Sequence, residues 1–532
     1  MNSSGPALFP EAASRISNVS FPLTLSLSLG ERGKDILRPE QPQAVHSSKC
    51  GGQCSLSPRE RAGVRGKGIS KHPGGWPLES ARDHSTSAAP DVARRRFLKT
   101  SLLAVAGAAG ISEFPFVVTV HASPDDPIRV GVIGCGGRGT GAVLDALGAA
   151  TKVVYPQSGY HTEEVAQADS LTQAAIKVVA LADTFQDRLN TCRGELKKLK
   201  ITVPDEHCFV GFDACKKLLA IPEINYVILA TPPHFRPAHL RAAIEAGKHV
   251  FMEKPVAVDG PGVRSVIESG ELAKQKGLGI VAGTQRRHLR SYNETIKRLH
   301  DGAVGEILYG RTYWNGGVIW VVERQSPWSD MEWQLRNWNY FTWLSGDHVV
   351  EQHVHNLDVM NWALNGHPLK AYGMGGRQAR PDKTHGHIYD HFAVEYEYPN
   401  GARVFSQCRQ MNGCDNKVEE ALVGTRGASN CANSILVKDG TPWRFRERDV
   451  NPYQQEHPDL IASIRAGRPL NEARAVAEST LTAIMGRESA YSGKIIEWDQ
   501  ALNSTGKLGP DKYELGSLPF PDVAMPGKHK FS

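Results

Sequence analysis

Lys254 is the residue whose type and position point most directly to chemistry. It follows residues 248–252, whose apolar end is typical of a buried strand, and it precedes Pro255. Proline cannot donate to a sheet ladder, so the strand should end there and leave the amine at its carboxyl end. In an open parallel sheet that end faces the ligand crevice. A lysine that caps a surface turn is the alternative, and the upstream sequence has to decide.

Glu351 and His355 form a second group that could move protons. Residues 347–364 carry apolar side chains at helical spacing, which predicts one amphipathic helix. Side chains four residues apart share one side of a helix, so Glu351 and His355 should meet. An imidazole suits the removal of a hydroxyl proton near neutral pH, and the Lys254 ammonium would stabilise the alkoxide charge. A helix histidine with satisfied hydrogen bonds is the alternative for His355.

A glycine-rich turn supplies an element that would hold a ligand beside these side chains. Residues 128–133 are strand-like, and a helix is predicted to follow the turn through residue 147. The turn matches G-x-G-x-x-G in the strand-to-helix context that dinucleotide binding requires. Its glycines permit a tight turn and close approach to a pyrophosphate, which the helix N-terminus attracts. A purely structural turn is the alternative. The predicted cofactor-binding residues of this turn are Gly134, Gly136, Gly137, Arg138 and Gly139.

The strands that follow complete the predicted cofactor site. The second strand, residues 177–182, ends at Asp183, whose carboxylate can accept both ribose hydroxyls and repel a 2′-phosphate. NAD is therefore favoured, while Arg188 one helical turn later leaves NADP open. Residues 151–174 are read as an insertion before this strand. The loop after the next strand, residues 226–230, should flank the cofactor unless it is a plain connection. Its predicted contacts are Thr231, Pro232, Pro233 and His234.

These residues together resemble the Gfo/Idh/MocA family of oxidoreductases over residues 126–500. The resemblance is carried by residues 128–139, by residues 230–234 and by Glu253-Lys254-Pro255. It implies that Lys254 contacts substrate and helps to position the nicotinamide, with Glu253 beside the cofactor. It also implies that His355 is the general acid or base of an Asp-x-x-x-His pair. Glu351 departs from the family pattern, because it stands in the place of the aspartate.

The resemblance implies an α/β fold in two domains. Residues 126–255 would form a Rossmann NAD-binding domain, and residues 256–500 a substrate and oligomerisation domain with an open, mostly antiparallel sheet, followed by a tail at 501–532. Alternating strand patterns and Gly turns support this second sheet independently. The predicted strands are 306–314, 369–373, 391–398, 402–409, 419–423 and 434–437. A sheet left open on one face predicts a homo-oligomer that covers it.

Polar and aromatic residues between these strands predict where a sugar or polyol would bind. Aromatic faces stack on sugar C–H surfaces, and Arg and Asn side chains bond hydroxyls. Core or interface packing is the alternative for half of the tryptophans. The predicted substrate residues are Arg336, Asn337, Trp338, Tyr340 and Asp358. No metal site is predicted, because the histidine-rich residues 385–391 lack a recognisable ligand spacing.

The N-terminal quarter reads as a targeting region rather than as a domain. Arg94, Arg95 and Arg96 precede an Ala/Gly/Leu-rich stretch, which predicts a twin-arginine export signal over residues 93–122 and a periplasmic or other extracytoplasmic location. A basic turn before a short buried helix is the alternative. Residues 1–92 are read as a disordered or mis-assigned leader, with translation starting near Val92. The longest apolar run contains Glu113 and Pro115, so no stable membrane anchor is predicted.

Composition and export together shape the predicted activity. The chain has 532 residues and a net charge of +6 that is scattered, which does not favour nucleic-acid binding. An exported enzyme cannot exchange NADH with a cytoplasmic pool, so its cofactor should remain tightly bound. The sequence thus predicts an NAD(P)-dependent oxidoreductase acting on a hydroxyl of a sugar, polyol or sugar derivative. A redox-neutral, NAD-dependent glycoside hydrolase or lyase and a non-catalytic carbohydrate-binding protein are the alternatives.

Overall fold

The computed structural model describes residues 127–149 and 176–532, and every statement about the fold concerns these residues. The predicted leader at 1–92, the predicted export signal at 93–122 and the predicted insertion at 151–174 lie outside them. Within the described residues, no helix is long and apolar enough to cross a bilayer.

Six parallel strands form the first sheet of the described chain, in the order β3-β2-β1-β4-β5-β6. Most of their side chains are buried, as is typical of parallel strands that are covered on both faces. Because the strand order reverses beside β1, a crevice opens at the carboxyl ends of β1 and β4. The strands are β1 Ile128–Ile133, β2 Ile176–Asp183, β3 Cys208–Val210, β4 Tyr226–Leu229, β5 His249–Met252 and β6 Ile280–Ala282. Helices on its two faces are α1 Gly137–Ala146, α2 Gln186–Lys198, α3 Ala214–Leu219, α4 Arg236–Glu245 and α5 Gly260–Gln275. This Rossmann sheet extends past the predicted boundary at residue 255, because β6 pairs with β5.

A second sheet of nine strands follows within the described residues, in the order β14-β13-β12-β11-β7-β10-β9-β8-β15. Its pairs are antiparallel except for β7 and β10, which run parallel. The predicted α/β fold with an open, mostly antiparallel second sheet is therefore confirmed. The strands are β7 Ile307–Gly316, β8 Lys370–Gly376, β9 His391–Glu397, β10 Arg403–Gln410, β11 Lys417–Gly424, β12 Gly427–Ser429, β13 Ser434–Val437, β14 Trp443–Arg444 and β15 Ile496–Glu497. The six predicted strands agree within three residues, whereas β12, β14 and β15 are too short to show a pattern.

Eight further helices follow in the described chain, including residues 354–363 and 473–492, which pack on the second sheet, and residues 452–465, which pack on β6 and α1 of the first half. They are α6 Arg290–His300, α7 Asp330–Arg336, α8 Thr342–Ser345, α9 His348–Glu351, α10 Val354–Ala363, α11 Pro452–Arg465, α12 Ala473–Ser492 and α13 Trp498–Leu502. Residues 503–532, termed the C-terminal strap, follow α13 without regular structure. The strap lies against the second half of the chain, where Tyr389 donates a hydrogen bond to the Ala524 carbonyl at 2.8 Å and His529 pairs with Glu488 at 2.9 Å.

The prediction of one helix over residues 347–364 was wrong. The structure has two helices, α9 and α10, which are separated at Gln352 and His353. The His353 ring bonds the Ser406 hydroxyl at 2.7 Å, and Gln410 donates to the Gln352 side chain at 2.7 Å. Both interrupting residues are therefore held by β10. Helical periodicity could not reveal a break that comes from contacts with a distant strand.

Candidate active site

Lys254 and Glu351 form an ion pair at the carboxyl end of β5. The Lys254 Nζ lies 2.9 Å from Glu351 Oε1 and donates to the Glu351 backbone carbonyl at 2.6 Å. Each side chain is only 13% exposed. Because α9 ends at Glu351, this carbonyl faces the lysine instead of accepting a hydrogen bond within a continuous helix. Lys254 is thus held at a fixed place in the crevice, as its position after β5 predicted.

His355 lies beside this pair but is not bonded to Glu351. Within the described residues its ring makes no hydrogen bond, and the residue is 8% exposed. Trp314 on β7 stacks on it with a centroid distance of 5.8 Å and an interplanar angle of 24°. Burial lowers the pKa of His355 well below its usual value, and the charges of Lys254 and Arg286 lower it further. The imidazole is therefore neutral, and a ring nitrogen can accept a hydrogen bond from a hydroxyl. The predicted contact between Glu351 and His355 is replaced by the one between Glu351 and Lys254.

The glycine turn fits a dinucleotide pyrophosphate. Gly134 has a φ of +94°, and a Cβ on Gly139 would lie 1.7 Å from the Gly134 carbonyl oxygen, so both positions require glycine. Gly136 and Gly137 are half-buried, and a Cβ at Gly136 would meet only the Arg188 guanidinium, at 3.4 Å, among the described residues. The turn leads into the ten-residue helix α1, whose first turn has no acidic residue and no side-chain cap from the described chain. The N–H groups of that turn can therefore bind an anion.

Asp183 lies at the end of β2, where a ribose would be expected. Its Oδ2 accepts from the Cys135 N–H at 2.6 Å and its Oδ1 accepts from the Phe185 N–H at 2.9 Å. Burial raises the pKa of this carboxyl, and the nearby Arg188 charge opposes that rise. Each carboxylate oxygen retains a lone pair for a hydroxyl. Asp183 thus anchors the glycine turn as well as being placed for a ribose, and Arg188 lies on the same side.

Arg138 and Glu253 pair with each other. The Arg138 guanidinium bonds the Glu253 carboxylate and also lies 3.1 Å from Asp145 on α1. Glu253 in turn accepts from the Lys254 N–H at 3.2 Å. The pair therefore ties the glycine turn to the strand that presents Lys254. This geometry favours a positioning role for both residues over the predicted direct contact with the cofactor.

The loop after β4 is fixed by contacts on both sides. Pro232 and Pro233 begin a short 3-10 turn, and the Thr231 hydroxyl lies 3.2 Å from His239 Nδ1. The buried Arg236 donates to the Thr231 carbonyl at 2.5 Å and also to the Pro255 carbonyl, so it joins this loop to the Lys254 segment. Arg236 was not predicted from the sequence, because nothing local distinguishes it from a helix-surface arginine.

His234 faces the strap rather than open crevice. Its Nε2 lies 2.7 Å from the Tyr513 hydroxyl, and its ring meets Trp343 edge-on at 5.0 Å. Burial lowers its pKa to about 4, and the Lys507 charge adds to this effect. A neutral His234 can accept the tyrosine hydrogen bond. The prediction that His234 binds cofactor is not supported by this contact.

Arg336 and Asn337, two predicted substrate residues, are already bonded within the protein. Arg336 reaches Asp187 at 2.9 and 3.1 Å and Glu332 at 2.9 Å. Asn337 is fully buried and accepts from the Val322 N–H at 2.9 Å. The geometry thus argues against a substrate role for either side chain.

Tyr340 and Asp358 are likewise committed to the core, whereas Trp338 is not. The Tyr340 hydroxyl donates to the Ile319 carbonyl at 3.2 Å, and Asp358 receives two bonds from Arg287, at 2.8 and 2.9 Å. The polar groups of both side chains are thus already bonded within the protein, which argues against contact with a ligand. Trp338 is half-buried, so its predicted role in binding a sugar remains a prediction.

Trp314 and Arg286 are site residues that were not predicted from the sequence. Trp314 covers His355, and the Arg286 guanidinium lies 6.0 Å from the Trp314 ring centre. Arg286 is paired with the buried Glu420 at 2.7 Å. Trp314 stands near the end of a predicted strand, which could have suggested that it faces the same crevice as His355. In the described part of the chain, no group of three or more His, Cys, Asp or Glu side chains is arranged to hold a metal ion.

Comparisons with known families match both halves of the structure. Residues 128–284 match the family model described as oxidoreductase family, NAD-binding Rossmann fold. Residues 292–429 match the GFO/IDH/MocA C-terminal domain. The two matches include the glycine turn, Lys254 and His355.

Individual relatives share low sequence identity with this chain. An inositol 2-dehydrogenase of Pseudomonas fluorescens is 25% identical over 309 residues, which cover 55% of this chain and 80% of that protein. A 2,7-anhydro-N-acetylneuraminate hydratase of Escherichia coli is 25% identical over 192 residues, or 36% of this chain and 47% of that protein. The chain thus spans about half the length of some curated relatives it matches. The solved structure of a Thermotoga maritima oxidoreductase covers 71% of this chain and 100% of that chain, with 17% identity and a TM-score of 0.53, and shares the fold.

Proposed function

We propose, because the chain belongs to the GFO/IDH/MocA oxidoreductase family, that it is an NAD(P)-dependent oxidoreductase acting on a hydroxyl-bearing carbon of a sugar, polyol or sugar derivative. The observation that carries the proposal is the meeting of three features in one crevice. These are the glycine turn, the Lys254–Glu351 pair and the neutral His355. The matched inositol 2-dehydrogenase supports a polyol as the first substrate class to test.

The side chains would divide the work on a substrate hydroxyl. A nicotinamide held in this crevice would take the hydride from the carbon. His355 takes the hydroxyl proton on a ring nitrogen, which burial keeps unprotonated by lowering its pKa. The Lys254 ammonium stabilises the negative charge that develops on the oxygen as the carbonyl forms. Glu351 keeps the ammonium in place through two contacts and supplies its counter-charge.

The cofactor proposal is NAD, retained during turnover. Gly134, Gly136 and Gly139 fit the pyrophosphate, and the Asp183 carboxylate disfavours a 2′-phosphate. Arg188 beside it is the feature that would favour NADP instead. Binding titrations with both dinucleotides would decide, with NAD expected to bind more tightly.

Export by the twin-arginine route remains part of the proposal. Arg94, Arg95 and Arg96 support it, and the folded, cofactor-loaded state that this route accepts agrees with a retained dinucleotide. N-terminal sequencing of the mature protein from the periplasm would test both the signal and the leader. Recovery of the protein only from the cytoplasm, with residues 93–122 intact, would contradict export.

We also propose a homo-oligomer whose subunits cover the outer face of the second sheet. Large apolar side chains on this face are between 36% and 66% exposed, namely Leu308, Tyr372, Met374, Phe405 and Val423. They lie on β7, β8, β10 and β11 among paired charges such as Arg403 and Glu395, so this face exposes large apolar side chains that a partner could cover. A second copy is the expected occupant, because closed symmetric assembly buries the same patch twice. Light scattering should give a mass above that of one subunit, and Met374→Asp should lower it.

Redox-neutral cleavage or hydration of a sugar is the second candidate. The matched hydratase favours it, because its name denotes addition of water without net oxidation. The same Lys254 and His355 would serve, since transient oxidation acidifies a neighbouring C–H bond.

One experiment separates these functions. Purified protein is loaded with NAD and incubated with a panel of polyols and glycosides, while NADH absorbance and released products are followed separately. Stoichiometric NADH supports net oxidation, whereas product release without NADH supports redox-neutral cleavage. If no panel member reacts but sugars bind, and Lys254→Ala leaves binding unchanged, a carbohydrate-binding protein replaces both enzyme proposals.

A further inference from the structure

An aromatic cluster lies across the carboxyl ends of β2, β3 and β4. From the Rossmann half it contains Phe185, Phe212 and Phe235, which follow these three strands. From the second half it contains side chains of α7 and α8, and Leu508 of the strap packs against it. Two distant segments of the chain therefore close over the end of the crevice that lies beyond Asp183.

Arg336 on α7 makes the first connection. Its guanidinium lies 4.0 Å from the centre of the Phe185 ring and holds both carboxylate oxygens of Asp187 on α2. Arg188 adds a hydrogen bond to the Arg336 carbonyl at 3.3 Å. Three positions of the β2–α2 region are thereby tied to α7.

Tyr513 of the strap makes the second connection. Its hydroxyl bonds His234 at 2.7 Å, and its ring lies 6.2 Å from Phe212 and 5.4 Å from Phe235. The strap backbone is also in close contact there, because a Cβ at Gly509 would lie 2.6 Å from the His234 ring. Tyr513 thus bridges the loops that follow β3 and β4.

The strap is fastened on both sides of Tyr513. Before it, the Leu508 N–H donates to Asp259 at 2.8 Å. After it, the Gly516 carbonyl accepts from the Met331 N–H at 3.1 Å, and the Leu518 N–H donates to Asp330 at 3.0 Å. The segment over the crevice is therefore short and held at each end, unlike a loose terminus.

In a Rossmann domain the carboxylate after the second strand binds the ribose of the adenosine half, so the adenosine lies between Asp183 and the loops after the neighbouring strands. That is the region the cluster closes. We propose that α7, α8 and the strap form a cover over the adenosine end of the crevice, with Tyr513 as its latch, and that this cover slows dinucleotide release. The inference rests on the proposed function, and it gives a physical basis for a cofactor that is retained between turnovers.

Two substitutions weaken the latch to different degrees. Tyr513→Phe removes only the hydrogen bond to His234, which should speed dinucleotide release about three- to tenfold. Tyr513→Ala also removes the ring contacts, and the rate should rise about tenfold or more. Tyr389→Phe is the matched control, because it removes another tyrosine hydrogen bond to the same strap, at Ala524, away from the crevice. Its release rate should stay within about twofold of wild type.

The measurement uses the purified protein loaded with NADH and mixed rapidly with excess NAD. Loss of bound-NADH fluorescence gives the release rate, and thermal unfolding of each loaded variant shows that it is folded. Faster release in the order Tyr389→Phe, Tyr513→Phe, Tyr513→Ala supports the cover. Equal rates in all variants overturn it. Tighter dinucleotide binding by Tyr513→Ala overturns it too, because that result would mean that the wild-type strap occupies the place of the adenosine. A wild-type protein that binds neither NADH nor NADPH overturns the proposed function, and the cover with it.

Discussion

Replacing His355 with glutamine should remove catalysis while leaving the fold. A positioned proton acceptor contributes about 100- to 10,000-fold to a rate, or roughly 3–6 kcal/mol of barrier at about 1.4 kcal/mol per tenfold. The structural cost is smaller, because the ring makes no hydrogen bond to the described residues and loses mainly its stacking on Trp314, worth about 1 kcal/mol. The loss in kcat should therefore far exceed the loss in the free energy of unfolding.

The pH profile gives an independent reading of the same residue. Burial and the nearby Lys254 charge lower the pKa of His355 below its ordinary value of 6.5. The neutral, proton-accepting form is present above the folded pKa and is lost as the pH falls through it. In the wild type, the acid limb of kcat/KM should therefore lie below pH 6.5, and the part due to this residue should vanish in His355→Gln.

The assay follows single-turnover NADH formation with the best substrate of the polyol and sugar panel, together with urea unfolding of both proteins. His457→Gln is the matched control, because this buried histidine bonds Tyr226 rather than facing the crevice. The control should lose stability but keep most of its rate per folded molecule. A His355→Gln variant that retains a rate within about threefold of wild type, or a wild-type acid limb above pH 6.5, would rule out His355 as the proton acceptor.

Four other substitutions have defined expected outcomes. Glu351→Gln keeps the backbone carbonyl contact to the catalytic lysine but removes the counter-charge of that lysine. The kcat should therefore fall about tenfold or more, while the NADH affinity in a fluorescence titration should not change. A weaker NADH affinity with an unchanged kcat would instead assign Glu351 to cofactor binding. Gly139→Ala should lower the melting temperature, because its Cβ would lie 1.7 Å from the Gly134 carbonyl oxygen. Gly136→Ala should fold normally and lose dinucleotide affinity. Equal melting temperatures of the two variants would contradict these different roles. Burial lowers the pKa of His457 to about 3, so its stabilising contribution is complete above pH 6.5 and is lost as the pH falls toward 3, at up to about 1.4 kcal/mol per pH unit. Between pH 7 and pH 5, the free energy of unfolding in urea should therefore fall less for His457→Gln than for the wild type. An equal fall in both proteins would contradict the assignment to His457.

The parts of the site that could be predicted from sequence are those with local signals. The glycine turn is required by backbone geometry, as the φ of Gly134 and the contact at Gly139 show. The place of Lys254 could be predicted because a strand followed by a proline fixes it at the carboxyl end of the sheet. Both signals depend on neighbouring residues alone, so a single sequence contains them.

The parts that could not be predicted depend on contacts between distant residues. Arg138 is predicted from the sequence to bind the cofactor, yet it pairs with Glu253, 115 residues away. Arg336 looked like a sugar ligand, yet it pairs with Asp187, 149 residues away. The strap has no periodicity that would mark its path, because it has no regular structure and contacts both halves of the chain through scattered side chains such as Tyr513, Phe520 and His529. Such pairings are chosen by packing, and residue types along the chain do not encode them locally.

Every proposed role in catalysis requires that the crevice before Lys254 and His355 hold a nicotinamide dinucleotide. Native mass spectrometry of the purified protein, before and after incubation with NAD and with NADP, measures this binding without a substrate. We expect one dinucleotide for each subunit, retained through desalting. A protein mass that shows no bound dinucleotide under any of these conditions would contradict the proposed function.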